Sequence, residues 1–166
     1  MLHILCNIYR IHHYYANYQT MQITKFTDLG LRVLMYLTQE VNTSTVTINE
    51  VAKQFDVPRN HLIKVVTRLN KLNWVVATRG RTGGLKLGVR PAELKLGNVL
   101  RELENKTSLI NCAEPLCVLS GQCNLKEILD HGLNSFYEEM NKYTLQSIVD
   151  HKTQQAVIKL HQRYVA

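Results

Sequence analysis

The chain has 166 residues, 45% of them hydrophobic and 20% charged, a composition that supports one compact fold and excludes disordered, collagenous and disulfide-scaffold classes. Its formal charge of +7 sits at one end: residues 1–90 hold 12 basic and 4 acidic side chains, and residues 91–166 hold 8 and 9. The longest stretch free of Asp, Glu, Lys and Arg, 11–24, is too short and too polar to cross a bilayer, so no membrane partner is expected.

Residues 1–20 carry four Tyr, three His, one Arg and no acid. They read as an appendage, an upstream-extended reading frame or a cloning remnant more than a functional arm. Cys6 and the His12/His13 pair share no spacing with the other cysteines. A basic start and a small-residue cleavage site are both missing, so the expected setting is reducing and cytoplasmic.

Over 24–39 the apolar positions Phe26, Leu29, Val33 and Leu37 recur every three or four residues and predict an amphipathic helix. Thr47 and Glu50 have capping-box spacing and open a second, short helix through Phe55. Asp56, Val57 and Pro58 make a turn. A third helix over 58–72 turns Leu62, Val65, Val66 and Leu69 inward and leaves Arg59, Asn60, His61, Lys64 and Arg68 on its other face. Two helices about a tight turn, the second basic outside, describe a helix-turn-helix.

Segments 74–77 and 85–87 are strand-like and flank a loop containing Arg79, Gly80, Arg81, Gly83 and Gly84, the pattern of a hairpin wing with arginines at its tip. A nucleotide cradle explains this loop less well, since no strand-glycine-helix arrangement accompanies it. From Arg59 to Arg90 there are eight basic residues and no acid, which makes a polyanion the expected partner in preference to a merely solvated basic face. Arg59, Asn60, His61 and Lys64 are placed toward base edges, Arg79 and Arg81 toward phosphates or the minor groove, and Arg68 is counted with the DNA-binding residues. Thr24 and Lys25, at the head of the first helix, are counted with the DNA contacts.

A fourth helix is predicted over 96–104. A loop follows with Cys112, Cys117 and Cys123 in C-x4-C-x5-C spacing. A long helix over 124–148 then places Leu125, Ile128, Leu129, Leu133, Phe136, Met140 and Tyr143 on one stripe, for which self-association is the natural cover and packing on the domain's own core the alternative. The tail 151–166 has weak pattern and no assignment. The expected fold is thus mainly α with a small β wing. Its parts are an extension (1–20), a winged helix-turn-helix (21–105), a cysteine-rich loop (106–123), a dimerisation helix (124–150) and a tail.

Lys25-Phe26-Thr27-Asp28, Val57-Pro58, Arg79-Gly80-Arg81-Thr82-Gly83-Gly84 and the three cysteines, in this order, resemble the NsrR repressors, winged-helix iron-sulfur regulators related to IscR. The likeness covers about residues 21–150. It implies a homodimeric repressor of nitric-oxide detoxification genes, holding a [4Fe-4S] or [2Fe-2S] cluster by Cys112, Cys117 and Cys123 and, from the partner subunit, Asp28. IscR-like relatives space their cysteines C-x5-C-x5-C with a His close by. The spacing here and the lack of His between Cys112 and Cys123 favour the NsrR branch, with His131 as a rival fourth ligand.

Three thiolates leave one iron to a weaker oxygen ligand or an open position, where a diatomic molecule would attack. Zinc is the competing metal, although zinc loops usually carry C-x2-C pairs. Taken alone, Asp28 is simply an acid stabilised by the dipole of a first helical turn. An enzymatic reading of the cysteines lacks a C-x-x-C and a His/Asp partner arrangement. A metal-free repressor sensing oxidants through its thiols, and an IscR-like sensor of cluster or redox status, stay as alternatives.

Overall fold

A computed structural model describes residues 22–39, 46–80 and 83–165. The chain runs α1 (Lys25–Tyr36), α2 (Ile48–Gln54), α3 (Arg59–Lys71), β1 (Val75–Ala77), β2 (Leu85–Leu87), α4 (Leu96–Glu104), α5 (Asn124–Met140), α6 (Leu145–Ile148) and α7 (His151–Val165). Residues 1–20, with Cys6, His12 and His13, and the wing positions Arg81 and Thr82 lie outside the described residues.

α1 begins where the Thr24 side chain accepts from the Thr27 backbone N–H at 3.2 Å. α2 begins at the expected capping box, with Thr47 and Glu50 bonded reciprocally. Each cap satisfies backbone donors that no intrahelical carbonyl can reach. The inward stripes of α1 and α3 meet in one core, where Val33, Leu34, Val51, Leu62 and Leu69 are fully buried. Burying each such side chain contributes about 1.5–3 kcal/mol. β1 and β2 pair antiparallel with Val75 opposite Leu87 and Ala77 opposite Leu85. Leu85 also donates to the Val46 carbonyl at 2.7 Å, which fastens the wing to the entry of α2.

α4 lies against α5 at very short range. A Cβ at Gly97 would stand 2.0 Å from the Tyr137 carbonyl oxygen, so only glycine permits this crossing. At its other end, α4 holds the head of α1: Glu104 Oε1 accepts from the Thr24 N–H at 2.7 Å and from its hydroxyl at 3.0 Å. Burial by itself would raise the Glu104 carboxyl, but hydrogen bonds from Thr27 and Thr24 and the charge of Lys106 hold it below its ordinary value.

Two expectations for the C-terminal half need correction. The helix from 124 stops at Met140, not at 148, because the chain turns at Asn141 and Lys142 and Thr144 then bridges to Lys95: Leu96 donates to the Tyr143 carbonyl and Leu145 to that of Leu94, each at 2.9 Å. Thr144 then caps α6 through Ser147. Tyr143 consequently leaves the predicted stripe and lies in the bridge. The tail without assignment forms α7, whose Val157 and His161 are buried against α1 and α2.

His161 closes a buried polar cluster. Its Nε2 lies 3.0 Å from the Tyr36 carbonyl, which can only accept, so Nε2 carries the hydrogen. Its Nδ1 lies 3.6 Å from Glu50 Oε1, and that oxygen also accepts from the Tyr36 hydroxyl at 2.7 Å. Burial and the Glu50 carboxylate push the Tyr36 hydroxyl above its ordinary range, so it stays a donor. His161→Ala strips the donor from a buried carbonyl, and its expected cost is about 1–3 kcal/mol, read as a lower urea midpoint at unchanged helicity.

The depressed Glu104 carboxyl makes a second prediction. Its contribution to stability is complete above the unfolded value near 4.5 and fades as falling pH protonates it in the fold. Stability measured from pH 6 to pH 3 should therefore decline through that window, and Glu104→Gln should flatten the decline.

Candidate nucleic-acid interface and cysteine loop

The structure brings Arg59, Asn60, His61 and Lys64 together on the exposed face of α3, whose opposite face is core. Pro58 precedes the helix and offers no side-chain cap, so the first residues of α3 project without competition from a capping group. Arg59 is the oriented member: its Nε–H donates to Asn49 Oδ1 of α2 at 2.8 Å. Arg79 and Gly80 are exposed at the wing. Gly80 has a φ of +109°, a backbone region that side chains rarely adopt. Thr78 donates to the Gly84 carbonyl at 2.9 Å and Gly83 to that of Gly80 at 3.0 Å, which narrows the hairpin toward its tip.

Two predicted contacts have other work within the fold. Thr24 is the cap of α1 and is bonded to Glu104. Arg68 turns from the reading face to α4, where its Nη2 meets the Glu102 carboxylate at 2.8 Å and the Glu102 carbonyl at 3.2 Å. Lys25 is exposed at the head of α1.

Cys112, Cys117 and Cys123 are half-buried and in no disulfide. The loop turns back on itself, with the Cys117 N–H donating to the Cys112 carbonyl at 3.0 Å. Cys123 occupies the position before α5. Lys126, in the first turn of α5, pairs with Asp130. The hydrogen bond to Asp130 holds Lys126 above its ordinary range, and Cys112 adds to the effect, so a cation stands beside the loop. Around the cysteines the surface is apolar: Leu116, Val118 and Leu119 on the loop, with Leu125, Ile128 and Phe136 on α5, are all exposed.

Among the described residues, no three His, Cys, Asp or Glu side chains are gathered as a metal-holding group. Asp28 is engaged by Arg32, whose Nε donates at 3.0 Å and whose Nη2 stands 2.8 Å from the second carboxylate oxygen. His131 is exposed on α5. Sequence reasoning passed over Asn49 and Glu102, because each meets its arginine across the fold with no local pattern to mark it. Lys126, three residues after Cys123, was within reach of a spacing argument.

A helix-turn-helix with a wing and an acid-free reading helix is the fold of a DNA-binding transcriptional regulator. Residues 23–151 match the model of the Rrf2 family, described as iron-dependent transcriptional regulators, and the chain belongs to that family. Its fold is similar to that of CymR, the global cysteine regulator of B. subtilis, with a TM-score of 0.62 at 21% identity over 80% of this chain and 98% of that one. T. potens IscR gives 0.62 at 18% identity over 81% and 90%. The oxidized form of Staphylococcus aureus CymR gives 0.61 at 18% over 79% and 98%. No helix among the described residues is long and apolar enough to cross a membrane.

The two arginine environments separate in solution. Arg68→Ala should cost up to about 1 kcal/mol of stability, as an exposed ion pair does, and leave the salt dependence of DNA binding unchanged. Arg79→Ala should reduce the log-log salt slope by about 0.9, one phosphate contact, in anisotropy titrations from 50 to 300 mM salt.

Proposed function

We propose that this Rrf2 regulator is a homodimeric repressor of the NsrR type. It reads a double-stranded DNA operator with α3 and the wing, including Arg81 at the tip, and responds to nitric oxide at an iron-sulfur cluster, [4Fe-4S] or [2Fe-2S], held by Cys112, Cys117 and Cys123. One observation carries the reading: three unpaired cysteines share a loop that projects apolar side chains, Val118 with 97% of its surface exposed. An exposed patch of this kind marks an association surface. A second subunit on α5 would cover it and shield the loop from water.

The donor set suits such a cluster, since thiolates are its usual ligands and these three are free. When bound, the cluster would supply an iron with a weaker fourth ligand, open to nitric oxide. The residues do the rest. The loop would have to draw its three thiols together, Lys126 would offset negative charge beside Cys112, and Asp28 of the other subunit, which Arg32 pairs with here, would be the further ligand. His131, on α5 beyond Cys123, is the rival to Asp28. A cytoplasmic location goes with this reading.

A metal-free thiol sensor is the second reading, and the half-exposed, separate cysteines favour it; an IscR-like response to cluster or redox status is a variant of the first. One experiment decides. The protein is purified without air, its visible spectrum, iron and sulfide are measured, and gel shifts on the operator are followed during addition of nitric oxide. A brown protein that binds tightly and releases on nitric oxide is expected, with Cys117→Ala losing colour and regulated binding together and Asp28→Ala keeping iron with an altered spectrum. Equal operator affinity with and without the cluster would sink the switch.

The dimer is tested separately. Leu129 and Phe136 replaced together by Asp should convert the sedimenting species from dimer to monomer, and a persisting folded dimer would place the interface elsewhere.

A further inference from the structure

The contact between α2 and α3 assigns a role to Asn49 that rests on the DNA-binding reading and goes beyond it. Arg59 is the first residue of α3 and is exposed, yet its Nε–H is already committed to Asn49 Oδ1 at 2.8 Å. An arginine with a free side chain samples many rotamers and must surrender them on binding. Here a neighbouring helix restrains the guanidinium before any ligand arrives. With Nε occupied, the two η nitrogens form the outward edge, and this is the edge that bonds bidentately to guanine O6 and N7 in a major groove.

Asn49 has a second capability. Because Oδ1 accepts from Arg59, the remaining part of its amide is the NH2 group, which only donates. Asn49 lines the cleft between α3 and the wing together with Arg59, Thr67, Asn70, Thr78 and Arg79, and among the described residues no Asp or Glu lines it. Asn70 is set up in the same way, since its Oδ1 accepts from the Ala77 N–H at 3.2 Å and leaves its NH2 as donor. A cleft of donors and cations without an acid suits a phosphodiester.

We propose that Asn49 is a positioning and specificity-determining residue: its carbonyl oxygen aims Arg59 at a base while its NH2 donates to the adjacent DNA phosphate. One side chain thereby couples sequence reading to backbone grip.

The full chain, purified without air, is used to select a preferred duplex from a randomised pool, and that duplex and a scrambled one of equal length are titrated by fluorescence anisotropy. Asn49→Ala should shrink the ratio of the two affinities about tenfold, the discrimination expected of one bidentate arginine-guanine pair. In an Arg59→Ala background the same change should not shrink it further. Asn49→Asp keeps the acceptor for Arg59 but turns a donor into an anion, so it should weaken both duplexes alike and preserve the ratio. An unchanged ratio for Asn49→Ala, or an equal loss in the Arg59→Ala background, overturns the proposal while leaving DNA binding intact. Failure of the wild type to enrich any duplex overturns the DNA-binding reading itself, and this inference with it.

Discussion

The carboxylate of Glu50 is the point from which the reading head is organised. One of its oxygens closes the capping box at Thr47, and the other takes the Tyr36 hydroxyl and faces His161. Burying a carboxylate is expensive unless every lone pair finds a donor or a cation. Here the donors are the Tyr36 hydroxyl of α1 and the Thr47 N–H at the head of α2, and the His161 ring of α7 stacks on Tyr36 beside them. The same acid therefore sets where α2 begins and how it lies on α1, and α3 follows from α2 across a turn of a few residues.

A physical route leads from the reading helix to the cysteine loop. Arg68 ties α3 to the end of α4 through Glu102, and α4 crosses α5 at Gly97 with backbone against backbone. Arg101 extends the same seam, lying over the Tyr137 ring at 4.6 Å and donating to Asn134 at 3.0 Å. Cys123 immediately precedes α5. The crossing at Gly97 is close-packed, whereas the Arg68–Glu102 joint is an exposed pair and the softest step of the route. The electrical division of the chain fits the same plan: the basic half carries α3 and the wing, and the near-neutral half carries the apolar face.

Local signals told the N-terminal half well. Periodicity found α1 and α3, the Thr47/Glu50 spacing found the start of α2, and glycines bracketing arginines found the wing, because each depends on residues within a few positions of one another. The errors lie where distant contacts decide. Nothing near Tyr143 announces that it will pair with the segment before α4, so an unbroken apolar pattern overran the end of α5. α7 is polar over most of its surface and becomes a helix of this fold through Val157 and His161, whose partners are more than a hundred positions earlier. Of the residues expected to meet DNA, Arg59, Asn60, His61 and Lys64 were legible as an exposed basic face, whereas the pairing of Arg68 with Glu102 was not. The cysteines were legible as a group by spacing, and their environment, with its cation and its apolar surroundings, needed coordinates.

The distance along the chain between Tyr36 and His161 has a consequence for biosynthesis. They are 125 residues apart, and at about 5–20 residues per second a ribosome needs roughly 6–25 s to make that interval. Within it α2 and α3 are made, and all three first helices precede the His161 ring that stacks on Tyr36. The packing of the basic first three helices is therefore completed only after translation has passed His161, whose ring is buried against α1 in the finished fold.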